Sequence, residues 1–152
     1  MSSMAKPDVQ SSPAFVDTNV LVYAFDTADP EKHAAANTLT TQLVGEGRLC
    51  LSVQVLHEFY SVVTRPSRPF RLTHEQAAKI VSEFVEMSTI VSLTPSTTLS
   101  ALEVVRQHNI SFWDALIWAA AKQIGCSTVY SEDFQNGREL GGITFVNPFL
   151  KC

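Results

Sequence analysis

Much of what marks a specialised chain is missing from this one. It has three cysteines, Cys50, Cys126 and Cys152, an odd number with no close pair. Neither a CxxC nor an HxxxH pattern occurs. This argues against a zinc site or a disulfide framework and fits buried thiols, plus a free one at the tail, in a reducing cytoplasm. No apolar run approaches the roughly 18 residues that span a bilayer, so no membrane role is expected. Residues 1–13 lack the apolar core of a signal peptide and contain Pro7 and Pro13. They read as a flexible leader. The six glycines form no GxGxxG fingerprint. Positive charge is also in deficit, with 11 Lys and Arg against 15 Asp and Glu and a net charge of −4. Nucleic-acid binders are often basic overall, because counterion release drives their association. If this chain meets a polyanion, it does so through a local patch or through a metal that reverses the sign of an acidic pocket.

What is present is a regular alternation. The length of 152 residues and a hydrophobic share of 45% suit one globular domain, expected over residues 14–150. Ala14–Val16 reads as a first strand and Val20–Phe25 as the start of a short helix. Asp29-Pro30-Glu31 opens a helix to about Val44, stopped by Gly45 and Gly47. Arg48–Leu51 is a strand, and Ser52 caps a helix over Val53–Thr64. Thr73 with Gln76 is a capping box for a helix to Met87. Thr89–Leu93 is a strand, and Thr94-Pro95 opens a helix to Gln107. Ser111 with Asp114 suggests another capping box, for a helix ending at Gly125. Ser127–Tyr130 and Ile143–Val146 complete the strands. Strands separated by helices pair in parallel through right-handed crossovers, so the expected fold is a three-layer α/β/α sandwich around a mainly parallel sheet.

In such a sheet, ligands collect at the carboxyl ends of the strands. Asp17 stands there, after the apolar Ala14-Phe15-Val16. Asp133 follows the strand ending at Tyr130, and the two meet if those strands are neighbours. Glu58 lies on the apolar face of its helix with Val55, Phe59 and Val62, an unusual place for an unpaired glutamate. Asp114 occupies the first turn of its helix beside Phe112 and Trp113. Each acid also has a structural explanation. Asp17 would cap the next helix, Glu58 would pair with an arginine, Asp114 would complement a helix dipole, and Asp133 would close a turn. Converging carboxylates would repel one another and suffer desolvation, a conflict that a divalent cation resolves. Magnesium takes such hard oxygen ligands, and a bound metal ion activates water for attack on a phosphodiester.

Phe15-Val16-Asp17-Thr18-Asn19-Val20-Leu21 is similar to the opening motif of PIN-domain nucleases. Ser52–Phe59 resembles their second motif, Ser111–Ile117 the third, and Ser131-Glu132-Asp133 the fourth. The Val146-Asn147-Pro148-Phe149 ending is also similar to small members of that family. In size the chain resembles VapC-type toxins of toxin–antitoxin pairs. That resemblance implies a Mg²⁺- or Mn²⁺-dependent endoribonuclease, a homodimer, and a small antitoxin that covers the site. It makes Asp17, Glu58, Asp114 and Asp133 the metal-binding acids, with Asn19 and Ser131 orienting them. Glu132 remains an alternative to Asp133.

Other readings find less support. An aspartyl-phosphate phosphatase needs a second acid at the position held by Asn19, and no motif surrounds His33, His57, His74 or His108. A non-catalytic PIN-fold scaffold and a housekeeping RNA-processing or DNA nuclease stay open. Arg65, Arg68 and Arg71 recur every third residue in a proline-containing loop, where they either track RNA phosphates or are ordinary solvated charges. Phe112 and Trp113 either stack a base or belong to core or interface. Leu21, Tyr23 and Phe25 belong to the core or to a dimer face.

Overall fold

The computed structural model describes residues 12–150. Of the leader expected over residues 1–13, all but Ser12 and Pro13 lie outside the described residues. The chain begins β1 (Ala14–Val16), α1 (Thr18–Tyr23), α2 (Pro30–Gly45), β2 (Leu49–Ser52), α3 (Val53–Val63) and α4 (His74–Met87). It continues β3 (Thr89–Val91), α5 (Pro95–Gln107), α6 (Phe112–Gln123), β4 (Thr128–Tyr130), β5 (Glu139–Leu140) and β6 (Ile143–Val146).

The sheet runs β3-β2-β1-β4-β6-β5. All neighbours pair in parallel except β5 with β6, which form an antiparallel hairpin. Ala14, Phe15 and Val16 are each completely buried. Successive strand residues point to opposite faces, so both faces of β1 are covered, as a parallel sheet requires. Helix α1 packs on α2 and α3, and α3 on α4, while α5 pairs with α6, which lies against β2, β4 and β6. The result is the expected α/β sandwich. Phe25, Phe59 and Phe84 meet edge to face with centroids 5.5–6.0 Å apart. Leu21 is fully buried. Leu21 and Phe25 are therefore core side chains.

Hairpin strand β5 was not foreseen, because two residues are too short to carry a period. Its turn depends on Gly141 at φ +55°, where an added Cβ would come within 2.8 Å of the Trp118 ring. Trp118 Nε1 donates to the Leu140 carbonyl at 2.9 Å, tying α6 to the hairpin.

Strands β1, β2 and β3 succeed one another in one direction across the sheet, and β4 then returns to the other side of β1. The topological switch point therefore lies between β1 and β4. Val16 pairs with Tyr130, so the residues that follow, Asp17 and Ser131, emerge side by side at the carboxyl edge. β1 and β4 are neighbours, as the meeting of Asp17 with Asp133 requires.

Candidate metal centre

The Asp17 N–H donates to the Tyr130 carbonyl at 2.9 Å, so the residue is still tied to the sheet as α1 begins. Its Oδ1 accepts the Thr18 N–H at 2.7 Å, which makes it the N-cap of α1. Its Oδ2 accepts from Ser131 Oγ at 2.8 Å. Ser131 is fixed in turn by its N–H to the Val146 carbonyl at 3.0 Å. Three parallel strands thus set the geometry of this pair.

Asn19 links the second acid to the first. Its Nδ2 donates to Asp133 Oδ2 at 3.0 Å and to Ser131 Oγ at 3.2 Å, with Asp17 Oδ2 at a longer 3.5 Å. An amide has only two N–H bonds, so the shorter contacts carry the interaction. Asn19 Oδ1 accepts the Glu132 N–H at 3.3 Å, and Ser131 Oγ accepts the Asp133 N–H at 3.2 Å. Both ends of the Asn19 amide are therefore committed to the segment carrying Asp133.

Glu58 reaches the same place from α3. Thr18 Oγ1 donates to its Oε2 at 2.8 Å, and Gln54 Nε2 to its Oε1 at 2.9 Å. Asp17, Glu58 and Asp133 line one hollow of about 440 Å³, together with Asp26, Glu132 and Arg68. Asp114 is not on that lining. It sits in the first turn of α6, its N–H donating to Ser111 Oγ at 3.1 Å, and it feels the charge of Asp133. A larger hollow of about 760 Å³ lies between α5 and α6. Its carboxylate, Glu103, is paired with Arg106, and it holds none of the acids singled out from the sequence.

The electrostatics show crowded, buried acids. Asp17 is 7% exposed. Its carboxyl is pushed up to about 6, first by burial and further by the charges of Asp133 and Glu58, against hydrogen bonds from Ser131 and Thr18. Asp114 is also raised, by burial first and by Asp133, with its Ser111 bond acting in the opposite sense. Such shifts cluster where acids are assembled for function. Among the described residues, no three ligating side chains surround a single point. The donor set is nevertheless chemically suited to a hard divalent cation. It offers carboxylates, and magnesium usually takes one or two of them and keeps several waters.

Glu132 and Asp133 are distinguished by their partners. Glu132 pairs with Lys32 at 2.9 Å. The Lys32 ammonium also lies 4.9 Å and 5.5 Å from the ring centroids of Tyr23 and Phe149. Among the described residues Asp133 makes no ion pair, and its charge acts on both Asp17 and Asp114. Of the three loop arginines, Arg68 faces the hollow and pairs with Asp26. Arg65 and Arg71 do not line it, and Arg71 Nε donates to the Thr64 carbonyl at 3.1 Å. Trp113 is 64% exposed and meets Phe112 edge on at 5.4 Å, so it is not core.

Thr18, Gln54 and Asp26 were not singled out from the sequence. Gln54 and Glu58 stand at i and i+4 on a helix, a legible pairing. Nothing local marks Asp26, whose partner lies 42 residues away.

Among the described residues, no helix is long and apolar enough to cross a membrane. No curated protein sequence matches the chain. Solved structures do. VapC20 of Mycobacterium tuberculosis, a toxin that cleaves the sarcin–ricin loop, is 20% identical with a TM-score of 0.59, over 79% of this chain and 89% of that one. The VapBC2 complex of Rickettsia felis, bound to a DNA fragment from its promoter, is 18% identical with a TM-score of 0.60, over 87% and 96%. FitAcB of Neisseria gonorrhoeae is 18% identical with a TM-score of 0.54, over 90% and 98%. At these identities the likeness is one of fold. The PIN-domain family model matches residues 14–136, a stretch that contains Asp17, Glu58, Asp114 and Asp133. The chain belongs to the PIN-domain family.

Proposed function

We propose that this protein is a Mg²⁺- or Mn²⁺-dependent endoribonuclease and the toxin of a toxin–antitoxin pair. The observation that carries this reading is the meeting of Asp17, Glu58 and Asp133 in one hollow at the switch point of a PIN-domain sheet, with Asp114 within electrostatic reach of Asp133. Those four acids would hold the cation, which supplies charge neutralisation at the phosphodiester and a water of lowered pKa. The chain's own residues do the rest. Ser131 and Thr18 orient Asp17, Asn19 holds Asp133 towards it, and Thr18 with Gln54 fixes Glu58. Fixing carboxylates before substrate arrives removes reorganisation from the reaction itself.

A cognate small antitoxin protein as partner, a homodimeric state and a cytoplasmic location belong to the same proposal. The antitoxin is supported by similar structures that are themselves VapBC complexes. Asp17→Asn should abolish RNA cleavage while leaving the fold intact, since Asn caps a helix as well as Asp does. Unchanged cleavage of RNA by purified Asp17→Asn protein sinks the assignment. A second reading, a PIN-fold scaffold without catalysis, takes its support from the described acids not surrounding one point. Calorimetric titration with Mn²⁺ separates the two, because a scaffold need not bind the ion.

A further inference from the structure

The hollow poses an electrostatic problem for the substrate proposed above. Five carboxylates line it, those of Asp17, Asp26, Glu58, Glu132 and Asp133, and Arg68 is the one cation among the described lining residues. An RNA phosphate approaching such a surface is repelled unless a positive charge meets it. We propose that Arg68, anchored by Asp26, takes a backbone phosphate of the RNA at the mouth of the hollow and so sets the strand's register against the acids. This rests on the ribonuclease reading.

The guanidinium is held on one side only. Its Nη2 pairs with Asp26 Oδ2, and its Nε donates to the Phe70 carbonyl at 3.3 Å. Nη1 makes no bond to a described residue. A guanidinium has five N–H donors in a rigid fork, so one edge can serve the anchor while the other takes a phosphate oxygen. The anchor itself is fixed. Asp26 Oδ1 accepts the Ala28 N–H at 2.9 Å, and the Asp26 N–H donates to the Val22 carbonyl at 3.0 Å at the end of α1. The loop is fixed as well. Arg68 N–H donates to the Arg65 carbonyl at 3.1 Å, and Leu72 N–H closes back on the Val63 carbonyl at 2.8 Å. Arg65 and Arg71 share the loop, yet neither reaches the hollow. In this arrangement Arg68 contacts substrate and Asp26 is its positioning residue.

The test is binding of a single-stranded RNA oligonucleotide, followed by fluorescence anisotropy across a salt series in the uncut Asp17→Asn background. Each neutralised phosphate contributes about 0.7 to the slope of log K against log salt for a single strand. Arg68→Ala should flatten that slope by about 0.7 and weaken binding roughly tenfold. Arg68→Lys and Asp26→Asn should keep the slope and bind several-fold more weakly, the first by losing the fork and the second by losing its anchor. Arg65→Ala and Arg71→Ala should change the slope less than Arg68→Ala. If Arg68→Ala does not fold, Arg68→Gln keeps a hydrogen bond to Asp26 and carries the same slope expectation. A purely structural ion pair would move the melting temperature and leave the slope alone. That result, or equal slope losses for all three arginines, overturns the inference. Failure of the wild-type protein to cleave RNA is a different result, and it overturns the ribonuclease reading itself.

Discussion

Helices α4 and α5, which begin away from the carboxylate hollow, finish their first turns differently from α1 and α6, whose starts carry Asp17 and Asp114. At α4, Gln76 N–H donates to Thr73 Oγ1 at 3.1 Å, and the Gln76 side chain returns to the Thr73 N–H at 2.9 Å. At α5, Thr94 and Thr97 make the same reciprocal exchange at 3.4 Å and 3.1 Å. At α6, Ser111 takes the Asp114 N–H, but the Asp114 carboxylate makes no return bond to the Ser111 backbone N–H. At α1 the cap is itself an acid, Asp17, buried and pushed up to about 6. The starts of α4 and α5 close their hydrogen bonding locally. The starts of α1 and α6 each leave a carboxylate within reach of the Asp133 charge, an arrangement that is costly for the fold and available for chemistry.

The largest effect expected from this contrast is on catalysis. Asp114→Asn keeps the size of the side chain and the Ser111 cap, and removes one charge. On the proposed reading, in which Asp114 helps to hold the cation, its loss should lower the cleavage rate roughly 1,000-fold, equivalent to about 4 kcal/mol in the barrier. The equivalent change at a remote start, Gln76→Ala, should leave cleavage of the same RNA unchanged. Single-turnover rates of the two variants decide the matter. Equal rates would mean that the open carboxylate at α6 does nothing that the closed cap at α4 does not.

The next effect is on stability, and its sign runs against intuition. Asp17 has a carboxyl at about 6 in the fold against an ordinary 3.8, so between those values the folded protein holds a proton that the unfolded chain has lost. Stability from this group is therefore full below about pH 4 and is lost as pH rises through about 6. The shift corresponds to a penalty of about 3 kcal/mol at neutral pH. Asp17→Asn removes the charge and keeps a competent cap. In the presence of a chelator the variant should be more stable than the wild type by up to about 3 kcal/mol at pH 7.5, and the difference should vanish near pH 4. Urea unfolding at the two pH values measures it. A wild type at least as stable as the variant at pH 7.5 would show that Asp17 is held by its cap rather than strained by its neighbours.

How far these regions were legible in the sequence follows the same division. Caps are local, and Asp29-Pro30, Ser52, Thr73 with Gln76 and Ser111 each mark a helix start within about a residue. Asp17 was legible because a fully buried strand leaves a charge at its end. What the spacing of Ser111 and Asp114 did not show is that Asp114 leaves the second half of its capping box unmade. Asp26 with Arg68 and Lys32 with Glu132 are separated by 42 and 100 residues, and no period or cap links them. The choice between Glu132 and Asp133 likewise needed the fold, which places Lys32 against one and Asn19 against the other.

The smallest effect sharpens the contrast most directly, because it holds the local chemistry constant. Thr73 and Ser111 accept the same N3 backbone N–H, both at 3.1 Å. Replacing either by Ala removes a cap worth about 1 kcal/mol, so Thr73→Ala and Ser111→Ala should lower the midpoint of denaturation by similar amounts. Their catalytic consequences should differ. Thr73 supports the start of a helix that carries no site residue, and its loss should leave the cleavage rate where it was. Ser111 supports the turn that presents Asp114, and it also counters the rise that burial imposes on that carboxyl. Its loss should slow cleavage several-fold under conditions where both variants remain fully folded. If the two alanine variants lose stability alike and cleave alike, Asp114 is held by the body of α6 and not by its cap, and the difference between the two kinds of helix start is one of charge alone.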